Sequence, residues 1–189
     1  MTNNFDLIAP FYDALASLVY GNKVKLAPTF FFKKINEAND ILVIGGGTGA
    51  ILIPLNQHFP NATITFLEPS SKMMQRARNR VVSNVNYVQQ TLESYNPDQK
   101  FDLIITPFVL DVYNEQQLQQ AIDKVKCLLC PGGHWLHSDF HQGEKLWWQR
   151  LLIRIMYIFF RLSASLQQQK LLNFDGYFEA AADLSLIHI

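Results

Sequence analysis

Asp40-Ile41-Leu42-Val43-Ile44-Gly45-Gly46-Gly47-Thr48-Gly49 is the stretch whose reading decides the fold. A short apolar run rich in Ile and Val, closed by glycines, reads as a buried strand entering a tight turn. Glycine has no Cβ, so the backbone can turn sharply there and approach a ligand closely. A helix that follows such a turn offers unsatisfied N–H groups and the positive end of its dipole. The loop therefore suits a pyrophosphate or the carboxylate of an amino acid, with a bare structural turn as the alternative.

The pattern extends in both directions. Residues 50–58 have helical character, with Pro54 inside them. Proline is tolerated in a first turn, so the helix proper is expected to begin late. Residues 63–67 form the next expected strand, ended by Glu68-Pro69-Ser70-Ser71. Ser70 or Ser71 can cap a helix over 72–81. Further strands are expected over 85–89, over 101–106 (stopped by Pro107) and over 134–140, the last after a Pro131-Gly132-Gly133 turn. Helices are expected over 115–129 and 144–166. The tail, 177–189, supplies a short helix and one strand. Upstream, 4–20 reads as an amphipathic helix broken near Pro10, and 24–36 as a second helix bent at Pro28. Strands alternating with helices at this spacing imply an α/β, Rossmann-like, doubly wound and mostly parallel sheet with helices on both faces. One domain is expected over 1–189, with an N-terminal helical cap (1–37) and the sheet core (38–189).

Composition agrees with a single globular domain. The chain has 189 residues, of which 49% are hydrophobic and 17% charged, enough for a sizeable core. Sixteen basic residues balance sixteen acidic ones, so no general attraction for nucleic acid is expected. Asp6 and Asp13 interrupt the N-terminal hydrophobic stretches, so no signal peptide is read and a cytoplasmic location is expected. No run reaches a membrane span of roughly 18–20 apolar residues. The nearest, 146–162, contains Arg150, Arg154 and Arg161. Cys127 and Cys130 form a C-x-x-C, read as two small buried hydrophobes. The alternatives are a redox pair or half of a metal site, and the latter lacks two further ligands. No metal is expected.

The glycine loop leaves the cofactor open. Gly45-x-Gly47-x-x-Ala50 also fits the dinucleotide pattern, and Glu68 at the next strand end would accept from ribose hydroxyls in either case. Five pieces taken together resolve the ambiguity. They are Phe5-Asp6-Leu7-Ile8-Ala9-Pro10-Phe11-Tyr12-Asp13, the Gly45-to-Gly49 loop, Leu67-Glu68-Pro69-Ser70-Ser71-Lys72-Met73-Met74, Phe101-Asp102-Leu103-Ile104-Ile105, and Leu129-Cys130-Pro131-Gly132-Gly133. Over nearly its whole length the chain resembles the class I S-adenosylmethionine-dependent methyltransferases, particularly the small ubiquinone- and menaquinone-biosynthesis branch.

That resemblance implies S-adenosylmethionine as cofactor and a small-molecule methyl acceptor; the alternatives are a non-catalytic S-adenosylmethionine- or partner-binding domain and, behind it, a nicotinamide-dependent oxidoreductase. Tyr12 and Tyr20 would belong to the cap. Gly45, Gly46, Gly47, Thr48 and Gly49 would form the loop at the methionine moiety and ribose. Glu68 would hold the ribose hydroxyls, with Pro69 and Met73 near the adenine. The family's acidic adenine contact falls here on Thr91, beside Leu92 and Glu93, which is a departure. Either Thr91 makes a weaker contact or Glu93 substitutes. Thr106, Pro107 and Phe108 would line the methyl-donor end.

The sulfonium is already activated, so such an enzyme chiefly aligns acceptor and donor and excludes water. A base is needed only if the acceptor must lose a proton. His137, Asp139 and Asp111 are the candidates, with Tyr113 beside them and ordinary packing roles as the alternative. His134, His137, His141 and Asp139 could also suggest a metal cluster, which is the weaker reading. Trp147, Trp148, Tyr157, Phe159 and Phe160 give 146–162 a large aromatic area. It reads as a sheet-covering helix, or as a lid for a hydrophobic, lipid-like acceptor that could touch a membrane surface. The resemblance implies two strands after the fifth, the last antiparallel. Residues 183–189 offer only one, and a reading frame ended early is expected, with a family variant of shortened sheet as the alternative.

Overall fold

A computed structural model describes residues 32–110, 113–138 and, for the backbone alone, 185–188. A single 3-10 turn, Phe32–Lys34, leads in. The helix expected to run to Asn36 is thus replaced, in its described part, by this turn and irregular chain. Then come β1 (Asp40–Ile44), α1 (Leu52–His58), β2 (Thr63–Leu67), α2 (Ser71–Arg78), β3 (Val85–Val88), β4 (Phe101–Pro107), α3 (Glu115–Leu128), β5 (Leu129–Ser138) and β6 (Ser185–His188).

The strands form one sheet in the order β3-β2-β1-β4-β5-β6, and every pairing is parallel. Parallel strands are covered on both faces, and the central strands β1, β2 and β4 are correspondingly apolar and buried along most of their length. In β1, Ile41 and Val43 point to one face, where α1 and α2 contribute Leu52, Leu55, Met74 and Ala77. Leu42 and Ile44 point to the other, where α3 contributes Leu118, Ile122 and Val125. The period of two in the strand thus feeds two separate cores. The tail contributes β6 parallel to β5, with no antiparallel strand between them.

The helices start where local chemistry allows. Ser70 Oγ accepts from Met73 N at 3.2 Å, capping α2. Ser70→Ala is expected to cost about 1 kcal/mol in urea unfolding, and a loss near zero would show that the cap does not stabilise α2. Asn114 and Gln117 form a reciprocal capping box at α3, with bonds of 2.9 and 3.0 Å. α1 has no side-chain cap. It begins only at Leu52, after a turn over 47–51, so Pro54 falls in its first turn.

Two expectations need correction. Pro131-Gly132-Gly133 is not a separate turn before the fifth strand but lies inside β5. Phe101 pairs with Leu129 and Leu103 with His134, so the extra residues bulge between these pairs. The cysteines are not buried hydrophobes either: Cys127 is exposed and Cys130 half-buried, and both are free thiols. The buried stripe of α3 runs through Leu118, Ala121, Ile122, Val125 and Leu128, and Cys127 lies off it. Partial burial and the neighbouring Asp102 carboxylate push the Cys130 thiol up. The same Asp102 carboxylate accepts from the backbone N–H groups of Asn39 and Asp40, joining β4 to the start of β1.

Candidate cofactor site

The strand order reverses between β1 and β4, and ligands of open α/β sheets bind outside the carboxyl ends of the strands at such a switch point. A cleft of about 240 Å³ lies there. It is built from four chain segments: the end of β1 with Gly45 and Gly47, the end of β2 with Glu68 and Pro69 and then Met73, residues 90–93 after β3, and Phe108, Val109 and Tyr113 after β4.

Glu68 is the organising residue. β2 ends at Leu67, whose carbonyl accepts from Gly45 N at 2.8 Å, while Glu68 N donates to Val88 O at 3.1 Å. The side chain is thereby aimed between two loops. Its Oε2 accepts from Gly47 N at 3.0 Å and its Oε1 from Ser70 N at 2.9 Å. The residue is 6% exposed, and such burial of a carboxylate requires partners of this kind. An ionised carboxylate can accept about four hydrogen bonds, so these two are compatible with accepting from a diol as well.

The glycine loop is shaped by sterics as well as by torsion angles. Gly45, Gly47 and Gly49 have φ of +67°, +57° and +73°, the left-handed region that costs other residues about 1–2 kcal/mol. A Cβ added at Gly47 would meet nothing within 4 Å, whereas one at Gly45 would lie 2.4 Å from Val109 Cγ2. The loop face at Gly47 is therefore open, while its root is packed shut.

The far wall is aromatic and polar. Tyr113 makes a side-chain hydrogen bond with Glu93. Burial, then the Glu93 charge and that hydrogen bond, push the phenol well above its ordinary range. Phe108 adopts φ +52° and its N–H donates to Ser138 O at 2.7 Å. A bulky side chain at positive φ is strained, and this one is held at the cleft wall by the β4–β5 connection.

Of the residues expected from sequence, Gly45, Gly47, Glu68, Pro69, Met73, Thr91, Leu92, Glu93 and Phe108 line this cleft together. Gly46, Thr48, Gly49, Thr106 and Pro107 do not line it. Gly46 and Gly49 pack against Phe66 and Ala77, and Thr48 faces Arg80. Thr106 Oγ1 accepts from Trp135 Nε1 at 2.9 Å and lies 3.1 Å from His137 Nδ1. His137 is thus part of a fully buried network rather than of the cleft wall. Tyr12, Tyr20, Asp111, Asp139 and the aromatic segment 146–162 lie outside the described residues. Sequence reasoning missed Ile44, Leu67, Gln90 and Val109 as lining residues. For Ile44 and Leu67 a signal existed, since each is the last residue of a strand that ends at the switch point. Gln90 and Val109 carried none.

Among the described residues no group of three His, Cys, Asp or Glu side chains could hold a metal. No described helix is long and apolar enough to cross a membrane.

Comparison with known proteins agrees with this geometry. A family model described as a methyltransferase domain matches residues 41–133. Malonyl-[acyl-carrier protein] O-methyltransferase 2 of Ilyobacter polytropus is 32% identical over 143 residues, covering 74% of this chain and 53% of that protein. Demethylmenaquinone methyltransferase of Chlamydia trachomatis is 26% identical over 132 residues, covering 69% of this chain and 57% of that protein. The chain spans about half the length of the curated relatives it matches. A solved structure described as a DhpI-SAM-HEP complex superposes with a TM-score of 0.63 at 23% identity, covering 80% of this chain and 67% of that one. Glycine loop, acidic strand end, sheet order and sequence relatives converge: residues 41–133 match a methyltransferase domain, and the sheet has the fold of the S-adenosylmethionine-dependent methyltransferases of class I.

Proposed function

We propose that the cleft binds S-adenosylmethionine and that the protein transfers its methyl group to a small acceptor group, free or carried on an acyl-carrier protein. The observation that carries this reading is Glu68, buried at the end of β2 and bonded to Gly47 N at 3.0 Å. It joins the glycine loop to the place where a ribose diol would sit. Pro69, Met73 and Leu92 supply apolar surface for an adenine ring, and Thr91 and Glu93 supply polar groups at its edge. Glu93 is the better adenine contact of the two, because Tyr113 holds its carboxylate at the cleft. Gly47, open on its Cα face, presents bare backbone to the amino-acid end. When bound, the cofactor supplies an activated sulfonium methyl. The chain's own part is to hold it in line with the acceptor and exclude water.

A dinucleotide is the poorer fit. Its pyrophosphate needs a helix N-terminus directly behind the loop. Here a turn over 47–51 intervenes, and α1 begins at Leu52 with seven residues.

For the acceptor, the relative from Ilyobacter polytropus favours a carboxyl oxygen carried on an acyl-carrier protein. The relative from Chlamydia trachomatis favours a quinone precursor. The first has the higher identity and is the acceptor class to test first. The balanced charge of the chain argues against RNA.

Calorimetric titration with S-adenosylmethionine, S-adenosylhomocysteine and NADH tests the cofactor. Micromolar binding of the first two is expected, with no heat from NADH. Binding of NADH alone would overturn the reading.

A further inference from the structure

The glycine loop is gripped from behind. Arg80 Nε donates to Thr48 O at 2.6 Å, and its Nη2 donates to Thr48 Oγ1 at 3.2 Å. Thr48 lies between Gly47 and Gly49 and is 3% exposed. A glycine-rich loop with three residues at positive φ is thus held by a two-pronged guanidinium from 32 positions away. Two parallel N–H bonds from a rigid fork fix orientation as well as position.

The segment that carries Arg80 meets the cleft, or a residue that shapes it, along its whole length. Ser70, at its start, donates from its N–H to Glu68 Oε1. Met73, in the first turn of α2, lines the cleft. Ala77, one turn on, sits where a Cβ at Gly49 would come within 2.8 Å. Arg80 follows in the turn after α2, its own N–H donating to Ala77 O at 3.1 Å. The next residue is under strain, since Val81 has φ +49°. A β-branched residue there is an outlier, and with its side chain 90% exposed burial does not offset the cost. Backbone strain that persists without local compensation points to a function of the conformation it imposes. Here that conformation turns the chain at the residue directly after Arg80.

We propose that Arg80 is a positioning residue for the cofactor, setting the conformation of the Gly45–Gly49 loop through Thr48. α2 and its C-terminal turn are then one bar that holds Glu68, Met73 and the loop in mutual register. The inference rests on the S-adenosylmethionine reading of the cleft. It adds a residue that does not touch the ligand and yet decides its affinity.

The test compares wild type, Arg80→Ala and Arg80→Lys by calorimetric titration with S-adenosylhomocysteine, and by amide hydrogen exchange of the ligand-free proteins. Arg80→Ala is expected to bind roughly 10- to 100-fold more weakly, the equivalent of losing charge-assisted hydrogen bonds. Exchange at Gly47 and Gly49 should quicken while the β1 and β4 amides stay protected. Arg80→Lys keeps the charge but not the fork and should fall between; it also serves if Arg80→Ala does not fold. A folded Arg80 variant with wild-type affinity, or one whose only change is a lower melting temperature, would overturn the inference and leave the cofactor reading standing. Failure of wild type itself to bind would overturn both.

Discussion

Glu68→Gln is expected to weaken S-adenosylhomocysteine binding by about 100-fold or more, with a loss of stability that does not exceed the loss of binding free energy. The substitution preserves size and shape, so the difference is electronic. The carboxylate accepts at Oε1 from Ser70 N and at Oε2 from Gly47 N. A glutamine offers one acceptor oxygen and one amide NH2. Whichever way it sits, one backbone N–H faces a donor instead of an acceptor. A bond to a charged group is worth about 1.5–3 kcal/mol, and the neutral amide also withdraws the charge that a ribose diol would meet. Stability should fall by about 1–3 kcal/mol, because one buried N–H is left facing a donor. Calorimetry for binding, with urea unfolding for stability, separates the two effects. Affinity within threefold of wild type would remove Glu68 from the ribose and, with it, the main support for the cofactor reading.

The second large effect is steric. Gly46→Ala is expected to destabilise the fold by about 3 kcal/mol, the upper part of the range for overpacking a core. A Cβ at Gly46 would lie 2.2 Å from Phe66 Cε2 and 2.7 Å from its Cζ. Phe66 cannot swing aside. It is fully buried in β2 and packed edge-on against Tyr87, ring centroids 5.9 Å apart. Gly47→Ala is the matched control. Its added Cβ would meet nothing within 4 Å, so only the cost of a left-handed alanine remains, about 1–2 kcal/mol. Thermal and urea unfolding of the two variants should therefore rank Gly46→Ala well below Gly47→Ala. The reverse order would mean that the loop sits differently against β2.

These two substitutions show why adjacent glycines are not equivalent. A run of three glycines marks a turn, and that much is visible in the chain. Which glycine excludes a core ring and which faces open space depends on where β2 lies, 20 residues further on. Thr48 makes the same point from the other side. In sequence it sits in the middle of the cofactor motif, yet its side chain faces Arg80 behind the loop. The cysteines also illustrate the limit. A C-x-x-C beside leucines looks like core, but the α3 stripe through Leu118, Ile122 and Val125 turns Cys127 outward.

The sequence by itself determined whatever depends on local pattern. Apolar runs alternating with helical segments dictated parallel strands buried on both faces. Ser70 three residues before Met73, and the glycines closing β1, marked where elements start and turn. The acidic residue at the end of β2 marked the edge where the cleft lies, because chain direction in a parallel sheet places every such end on one edge. The tertiary structure decided what depends on crossovers. Only the strand order β2-β1-β4 brings Val109 against Gly45, and only folding pairs Tyr113 with Glu93. The grip of Arg80 on Thr48 follows from the packing of α2 against the loop. Local pattern fixes which way a side chain points along its own element, whereas the partner it meets is chosen by segments tens of residues away.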